Sequence, residues 1–208
     1  MKPRIGTTRA STVDATTVIV IRWGSEDLDV TCGGAEGLNN AIFSAVGPGD
    51  EVILFEPAFM HYTNMVTAAG GQPVVVQTRF QDGFQIDPDA LRAAITPRTK
   101  LLILNNPGNP TGAVYTKETL EAVCKIACEY DLLVLADEIY SRIVYSGAEF
   151  YAVASFPGMR ERTLTMNGFS KTYAMTGWRM AYIAADEALM RTVAVTHQYS
   201  TTCEPTFS

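Results

Sequence analysis

The chain alternates short apolar runs with longer segments of helical period, and this alternation constrains the fold more than any other feature. Six runs rich in aliphatic and β-branched residues occupy residues 51–55, 72–77, 100–105, 132–137, 162–167 and 179–185. Strands that are apolar on both faces are typical of a sheet covered by helices on both sides. The pattern predicts an α/β fold with three layers, α/β/α.

Segments of helical period lie between these runs, at residues 35–46, 60–69, 88–95, 116–130 and 186–200. Asp87 followed by Pro88 predicts a capped helix start, and Thr116 predicts the cap of the next helix. The sequence contains no internal repeat, low-complexity stretch or convincing linker. One domain is therefore expected to fill the chain.

Composition narrows the possible partners. The chain has 208 residues, of which 47% are hydrophobic and 18% charged, and its formal net charge is -6. A net negative charge without any run of Lys and Arg argues against nucleic acid or an anionic membrane as partner. No apolar run approaches the roughly 20 residues needed to span a bilayer. Small molecules are the expected ligands.

The cysteines and the first residues support weaker inferences. Cys124 and Cys128 could share a helix face, but without a second pair of ligands they predict reduced buried thiols and no metal site. Residues 1–23 contain four basic residues, one acidic residue and many hydroxyls. The expected location is the cytoplasm, with an organelle transit peptide as the alternative.

Unusual polar residues follow several apolar runs. Asp137 ends "LLVLAD" and precedes Tyr140 by three positions, while Asn105 and Asn106 open the turn "NNPGNPTG", which contains Asn109. Ligands of open α/β sheets bind beyond the carboxyl ends of the strands, so these side chains are candidates for a site. Taken singly, an ordinary turn or a helix cap explains each of them equally well.

Two isolated cations strengthen the case for a site. Lys171 and Arg179 are the only charged residues in "FSKTYAMTGWR" (169–179). A lysine amine can condense with an aldehyde, and a carboxylate such as Asp137 can keep a pyridine nitrogen protonated. Arg179, Ser170 and the glycine-opened helix start in "CGGAEG" (32–37) could bind a phosphate. The set suits a phosphorylated aromatic aldehyde, although Lys171 alone could equally be a surface lysine.

The motifs "NNPGNPTG", "VLADEIY" and "FSKTYAMTGWRMAY", in this order, resemble those of the class I/II aminotransferases, pyridoxal phosphate enzymes of fold type I. The resemblance covers residues 27–208 and implies a mostly parallel sheet that belongs to the large, cofactor-binding domain. It implies that Lys171 forms the Schiff base with pyridoxal 5'-phosphate and later transfers a proton. Asp137 would pair with the pyridinium nitrogen, and Tyr140 would contact the ring's phenolic oxygen.

The resemblance also assigns the remaining cofactor contacts. Asn109 would share the phenolic oxygen with Tyr140, and Phe59 would stack on the ring unless it is simply a core phenylalanine. The phosphate would be held by Gly34, Ala35, Ser170 and Arg179.

Departures from the family pattern carry their own expectations. Residues 1–26 match nothing in the family, and the small domain, which carries the arginine for the substrate carboxylate, is largely missing. The chain therefore resembles the core of a truncated aminotransferase, and it alone is expected to be a very poor transaminase. The complete enzyme would be a homodimer.

Three functions remain open. The leading one is a transaminase that moves an amino group between an amino acid and a 2-oxo acid. A lyase of the same fold type has similar lysine and phosphate motifs, and a catalytically silent relic could bind the cofactor without turnover. Incubation with an amino acid separates the three, because only a transaminase releases a 2-oxo acid and leaves the cofactor in its amine form.

Overall fold

The computed structural model describes residues 23–145, 147–201, 203 and 205. Within these residues, strands and α-helices alternate along most of the chain. In chain order they are β1 (Leu28–Cys32), α1 (Gly34–Ala45), β2 (Glu51–Glu56), α2 (His61–Ala68), β3 (Gln72–Gln77), α3 (Pro88–Ala94), β4 (Thr99–Asn105), α4 (Lys117–Glu129), β5 (Leu133–Asp137), β6 (Thr163–Gly168), β7 (Met180–Ala184) and α5 (Glu187–Ser200). All six predicted strands and all five predicted helices are present, with ends that differ by at most one residue.

The strands form one mostly parallel sheet in the order β1-β7-β6-β5-β4-β2-β3. Strands β2 to β6 pair in parallel, whereas β7 is antiparallel to both β6 and β1. The edge strand β1 was not among the six apolar runs. Its sequence "LDVTC" alternates polar and apolar residues, and only Thr31 is fully buried.

Helices cover both faces of the sheet. One core cluster joins α1, α2 and α5 to the sheet through residues such as Ile42, Val66 and Val193. A second cluster joins α3 and α4 to the opposite face through Leu91 and Leu120. Successive strand residues contribute to opposite clusters, as Leu101 and Leu102 do on β4, because side chains alternate across a sheet. The three-layer α/β/α prediction is confirmed.

Two predictions about burial need correction. The edge strand β3 reads as apolar on both faces, but among its residues only Val76 is buried, because no strand pairs with its outer edge. Of the predicted buried thiols, Cys124 is buried while Cys128 is only partly so. Cys128 lies where α4 approaches the loop at Gly158, which leaves its sulfur half-covered.

The predicted caps are confirmed. The Asp87 carboxylate accepts a hydrogen bond from the Asp89 amide at 2.9 Å with Pro88 in the first turn, and the Thr116 hydroxyl accepts one from the Thr119 amide. Each satisfies an amide that has no intrahelical acceptor. Among the described residues, no helix is both long and apolar enough to cross a membrane. The possible transit segment falls almost entirely outside the described residues.

Candidate active site

The strand register brings the predicted residues to one edge of the sheet. Asn105 at the end of β4 is level with Asp137 at the end of β5, and Asp137 is level with Met166 on β6. On the antiparallel side, Cys32 at the end of β1 is level with Met180 at the start of β7. The loops that leave this edge carry the predicted polar residues. This is the carboxyl edge, where ligands of open α/β sheets bind.

Asp137 is a deeply buried carboxylate of this edge, at 4% exposure. Its Oδ2 accepts a 2.6 Å hydrogen bond from the Tyr62 hydroxyl, and its Oδ1 accepts one from the Ile139 amide at 3.2 Å. Burial raises the pKa of Asp137 to about 6, although both hydrogen bonds act in the opposite direction. No Lys or Arg among the described residues forms an ion pair with it. A cationic ligand atom would complete its environment.

The neighbouring carboxyl group of Glu138 is equally buried but points elsewhere. Its Oε1 accepts a 3.0 Å hydrogen bond from the Val153 amide. Burial and, to a smaller extent, the adjacent Asp137 raise the pKa of Glu138 to about 8, although the hydrogen bond from Val153 lowers it. At neutral pH, the edge therefore concentrates its negative charge on Asp137.

Asn105 connects the loop of Asn109 to the strand of Asp137. The Asn105 side chain donates to the Asp137 carbonyl oxygen at 3.0 Å and accepts from the Asn109 amide at 2.7 Å. This fixes the first turn of the "NNPGNPTG" loop against β5. Asn109 and Tyr140 then line the same groove.

Lys171 lies in the turn that follows β6 and is exposed. Its Nζ lies 5.8 Å from the centroid of the Tyr140 ring, which is partly buried. Burial and the nearby Asp137 raise the pKa of the Tyr140 phenol. The amine is thus accessible to a ligand and close to the phenol.

An aromatic cluster borders Asp137 on the α2 side. The Phe59 ring is 5.5 Å from the Tyr62 ring in an edge-to-face arrangement and 4.6 Å from the His61 ring. Because Tyr62 binds Asp137 directly, Phe59 lies one ring away from the carboxylate. Phe59 also packs partly against the core, which is one of the two positions considered from sequence.

A second cationic centre lies at the start of α1. Gly33, the residue before this helix, has a φ of 79°, and a Cβ built there would lie 2.2 Å from the Arg179 guanidinium. Only glycine permits this approach. The amides of Gly34 and Ala35 belong to the first helical turn, where they have no intrahelical acceptor. Arg179 itself adopts a left-handed conformation and donates to the Thr176 carbonyl oxygen at 3.0 Å.

This centre fits a phosphate group. A guanidinium contacts the positive end of a helix, and no carboxylate among the described residues pairs with Arg179. Two positive groups this close favour an anion between or beside them. Pyridoxal phosphate has a phosphate, a ring nitrogen that can be protonated and an aldehyde. This centre suits the phosphate, the buried Asp137 carboxylate suits the protonated nitrogen, and the accessible amine of Lys171 suits the aldehyde.

The structure links most, though not all, of the predicted site residues by direct contacts. Asp137 connects to Asn109 through Asn105, and Lys171 contacts Tyr140, while Arg179 contacts the start of α1. Ser170 is half-buried beside Lys171 and in the same β6–β7 connection as Arg179, with no hydrogen bond found among the described residues.

Sequence reasoning missed two residues of this edge. Tyr62 was overlooked because its partner, Asp137, lies 75 residues away in sequence. Asn105 was noted at its strand end but received no role.

Comparison with known proteins identifies the family. The model of "Aminotransferase class I and II" matches residues 21–207. The chain is 44% identical over 183 residues to an aspartate/prephenate aminotransferase of Thermus thermophilus and 43% identical over 178 residues to aromatic-amino-acid aminotransferase 2 of Thermococcus litoralis. These alignments cover 88% and 86% of this chain, and 47% and 46% of the relatives.

Solved structures agree. A double mutant of the aspartate aminotransferase of Thermus thermophilus superimposes with a TM-score of 0.82 at 44% identity, covering 85% of this chain and 46% of that one. The N-succinyldiaminopimelate aminotransferase of Mycobacterium tuberculosis gives a TM-score of 0.85 at 37% identity, covering 88% and 48%. The chain spans about half the length of the relatives it matches. It belongs to the class I and II aminotransferase family.

Proposed function

We propose that this chain forms the pyridoxal phosphate-binding part of an aminotransferase that moves an amino group between an amino acid and a 2-oxo acid. The observation that carries the proposal is that two charged groups without an ion-pair partner among the described residues lie at one edge of the sheet. One is the buried Asp137 carboxylate, and the other is Arg179 against the start of α1. Class I and II aminotransferases are in general pyridoxal phosphate-dependent.

Each residue then has a role that follows from its surroundings. Asp137 would hold the pyridine nitrogen in its protonated form, and Tyr62 would keep Asp137 ionised by donating to it. Arg179, Ser170 and the amides of Gly34 and Ala35 would bind the phosphate. When bound, the cofactor supplies an electron sink that lets the α-carbon of an amino acid lose a proton.

The remaining residues orient the ring and move protons. Phe59 would stack on the ring, and Tyr140 and Asn109 would donate to its phenolic oxygen. Lys171 is the accessible amine that would bond to the aldehyde and, when released, carry a proton to or from the substrate. We also propose that the complete enzyme is a homodimer, as is general for the family.

Borohydride reduction tests the proposal directly. The purified chain is incubated with pyridoxal phosphate, reduced and mapped by peptide mass spectrometry. We expect the label on Lys171 and its loss in Lys171→Ala, whereas Lys117→Ala, which removes an exposed lysine paired with Glu121, leaves it unchanged. Label on other lysines alone, in a folded sample, contradicts the assignment. Adding amino acids to the loaded chain and assaying for 2-oxo acid then separates transamination from elimination and from simple binding.

A further inference from the structure

A buried polar network outside the proposed cofactor contacts joins β1, α1 and α5. His197 lies in the last turn of α5 and is 7% exposed. Its Nδ1 lies 2.8 Å from both carboxylate oxygens of Asp29 on β1. Its Nε2 lies 3.8 Å from Oε1 of Glu36 on α1 and has no hydrogen-bond partner among the described residues. Each ring nitrogen therefore faces a carboxylate.

The two carboxylates determine which nitrogens of the His197 ring carry a hydrogen. A carboxylate accepts hydrogen bonds, so Nδ1 carries a hydrogen toward Asp29. A neutral ring of this tautomer would direct the lone pair of Nε2 at Glu36, whereas a doubly protonated ring presents an N–H to both carboxylates. At 3.8 Å the contact with Glu36 is an ion-pair distance and too long for a direct hydrogen bond. His197 thus binds β1 and lies against the first turn of α1.

Glu36, one of these two carboxylates, lies beside the turn at Gly33. Oε2 of Glu36 accepts a 2.8 Å hydrogen bond from the Cys32 amide, directly before Gly33. Thr31, two residues from Asp29 and so on the same face of β1, donates its hydroxyl to the Gly33 carbonyl oxygen at 3.3 Å. The Gly33 turn is therefore held from the strand side and from the helix side.

Ser200, the last residue of α5, adds a second link to α1. Its hydroxyl lies 3.1 Å from Oε1 of Glu36 and 3.1 Å from Oδ1 of Asn40. The Asn40 side chain also donates to Glu36. Glu36 thus links α1 to α5 and lies in the same helical turn as the Gly34 and Ala35 amides that would bind the phosphate.

We propose that His197 is a positioning residue that holds the Gly33 turn at the spacing that a phosphate requires between Arg179 and the first amides of α1. The inference rests on the proposed function. Its physical basis is the tight contact of Arg179 with Gly33, which leaves no room for a Cβ. A small displacement of the turn therefore changes the distance between the guanidinium and the amides of α1.

The test compares pyridoxal phosphate with pyridoxal, which lacks the phosphate but retains the ring and the aldehyde. Dissociation constants are measured for both compounds in the parent chain and in His197→Ala. We expect His197→Ala to bind pyridoxal phosphate about tenfold more weakly and pyridoxal with unchanged affinity. His197→Gln, which retains an N–H donor, should recover part of the loss. Gln198→Ala, at an exposed neighbouring position of α5, serves as the matched control.

Three outcomes overturn the inference. If His197→Ala loses affinity for both compounds equally, His197 acts only on overall stability. If His197→Ala changes neither affinity, the turn does not depend on His197. A parent chain that binds neither compound overturns the proposed function, and this inference with it. Should His197→Ala fail to fold, Glu36→Gln gives the same test with a side chain of nearly equal size, and an unchanged ratio there overturns the inference as well.

Discussion

The hydroxyl of Tyr62 donates a 2.6 Å hydrogen bond to Oδ2 of Asp137, and both side chains are almost completely buried. The two residues are far apart in sequence, and the contact joins α2 to the end of β5. It places a neutral donor, rather than a cation, beside the key carboxylate. Asp137 consequently keeps an unneutralised charge.

Replacing Tyr62 by Phe should raise the pKa of Asp137 further above its value of about 6. The hydrogen bond stabilises the ionised carboxylate and so lowers the pKa, whereas burial raises it. Without the bond, less opposes the effect of burial. The carboxyl carbon signal of Asp137, identified by its absence in Asp137→Asn, is followed by NMR as a function of pH. Tyr199→Phe, at a tyrosine that is 86% exposed, is the control. An unmoved titration midpoint in Tyr62→Phe would show that the bond does not stabilise the charge.

Replacing Glu138 by Gln should stabilise the ligand-free chain at high pH and not at low pH. The pKa of Glu138 is raised from 4.5 to about 8 by burial, so the folded chain binds this proton more tightly than the unfolded chain does. The stability that this tighter proton binding gives the folded chain is fully present below pH 4.5 and is lost as the pH rises through 8. Gln keeps the oxygen that accepts from Val153 and has no charge to bury.

Urea denaturation at several pH values measures this difference. We expect Glu138→Gln to exceed the parent in unfolding free energy by on the order of 3 kcal/mol at pH 9, with the advantage vanishing near pH 4. Glu161→Gln, at an exposed position, should show no comparable trend. An advantage that is the same at both pH values would mean that burial of the charge is not its cause.

Replacing Arg179 by Ala should weaken pyridoxal phosphate binding more than tenfold. Removing one partner of a buried charge pair costs on the order of 2 to 5 kcal/mol. Affinity is measured by fluorescence titration, with Arg191→Ala as a control that removes an exposed arginine from α5. Asp137→Asn should instead retain the cofactor and slow proton removal from an amino acid. Parent-like affinity in Arg179→Ala would refute the assignment of the phosphate site.

Replacing Gly33 by Ala should cost more than the backbone strain alone. Gly33 and Gly49 have φ values of 79° and 88°, so alanine at either position incurs a penalty of roughly 1–3 kcal/mol. Only at Gly33 would the new methyl group collide with Arg179, because a Cβ at Gly49 meets nothing within 4 Å. Thermal denaturation and cofactor titration of both variants separate the two effects. Equal losses of cofactor affinity in both would contradict the steric argument.

Periodicity predicted the elements well where one face or both faces are uniformly apolar. Strands such as β4 and β5, and helix α4, were placed within one or two residues because their patterns match their burial. The same criterion did not detect strand β1, since Asp29 and Thr31 belong to a buried polar network rather than to an apolar face. For β3 the same criterion predicted too much burial, because an apolar run does not show that a strand lies at the edge of the sheet.

The candidate site was predictable where its residues sit in compact motifs. Lys171, Asp137 and Arg179 each stand out in a short stretch, and the resemblance assigned their roles. Tyr62 and His197 do not stand out, because their significance comes from partners on other elements. The Tyr62–Asp137 bond and the His197–Asp29 contact both join residues that only the folded sheet brings together.

The pairing of β1 with β7 has a consequence for biosynthesis. Leu28, near the start of the described chain, pairs with Ala184, close to its end, so β1 has no strand partner until β7 has emerged from the ribosome. Contacts this distant in sequence form late, because the entropy cost of closing a long loop precedes the stabilisation that the contacts provide. The parallel strands β2 to β6 can assemble earlier. The Gly33 turn and Arg179 can therefore meet only after β7 has been synthesised, so the proposed phosphate-binding centre forms later than the pairing of β2 to β6.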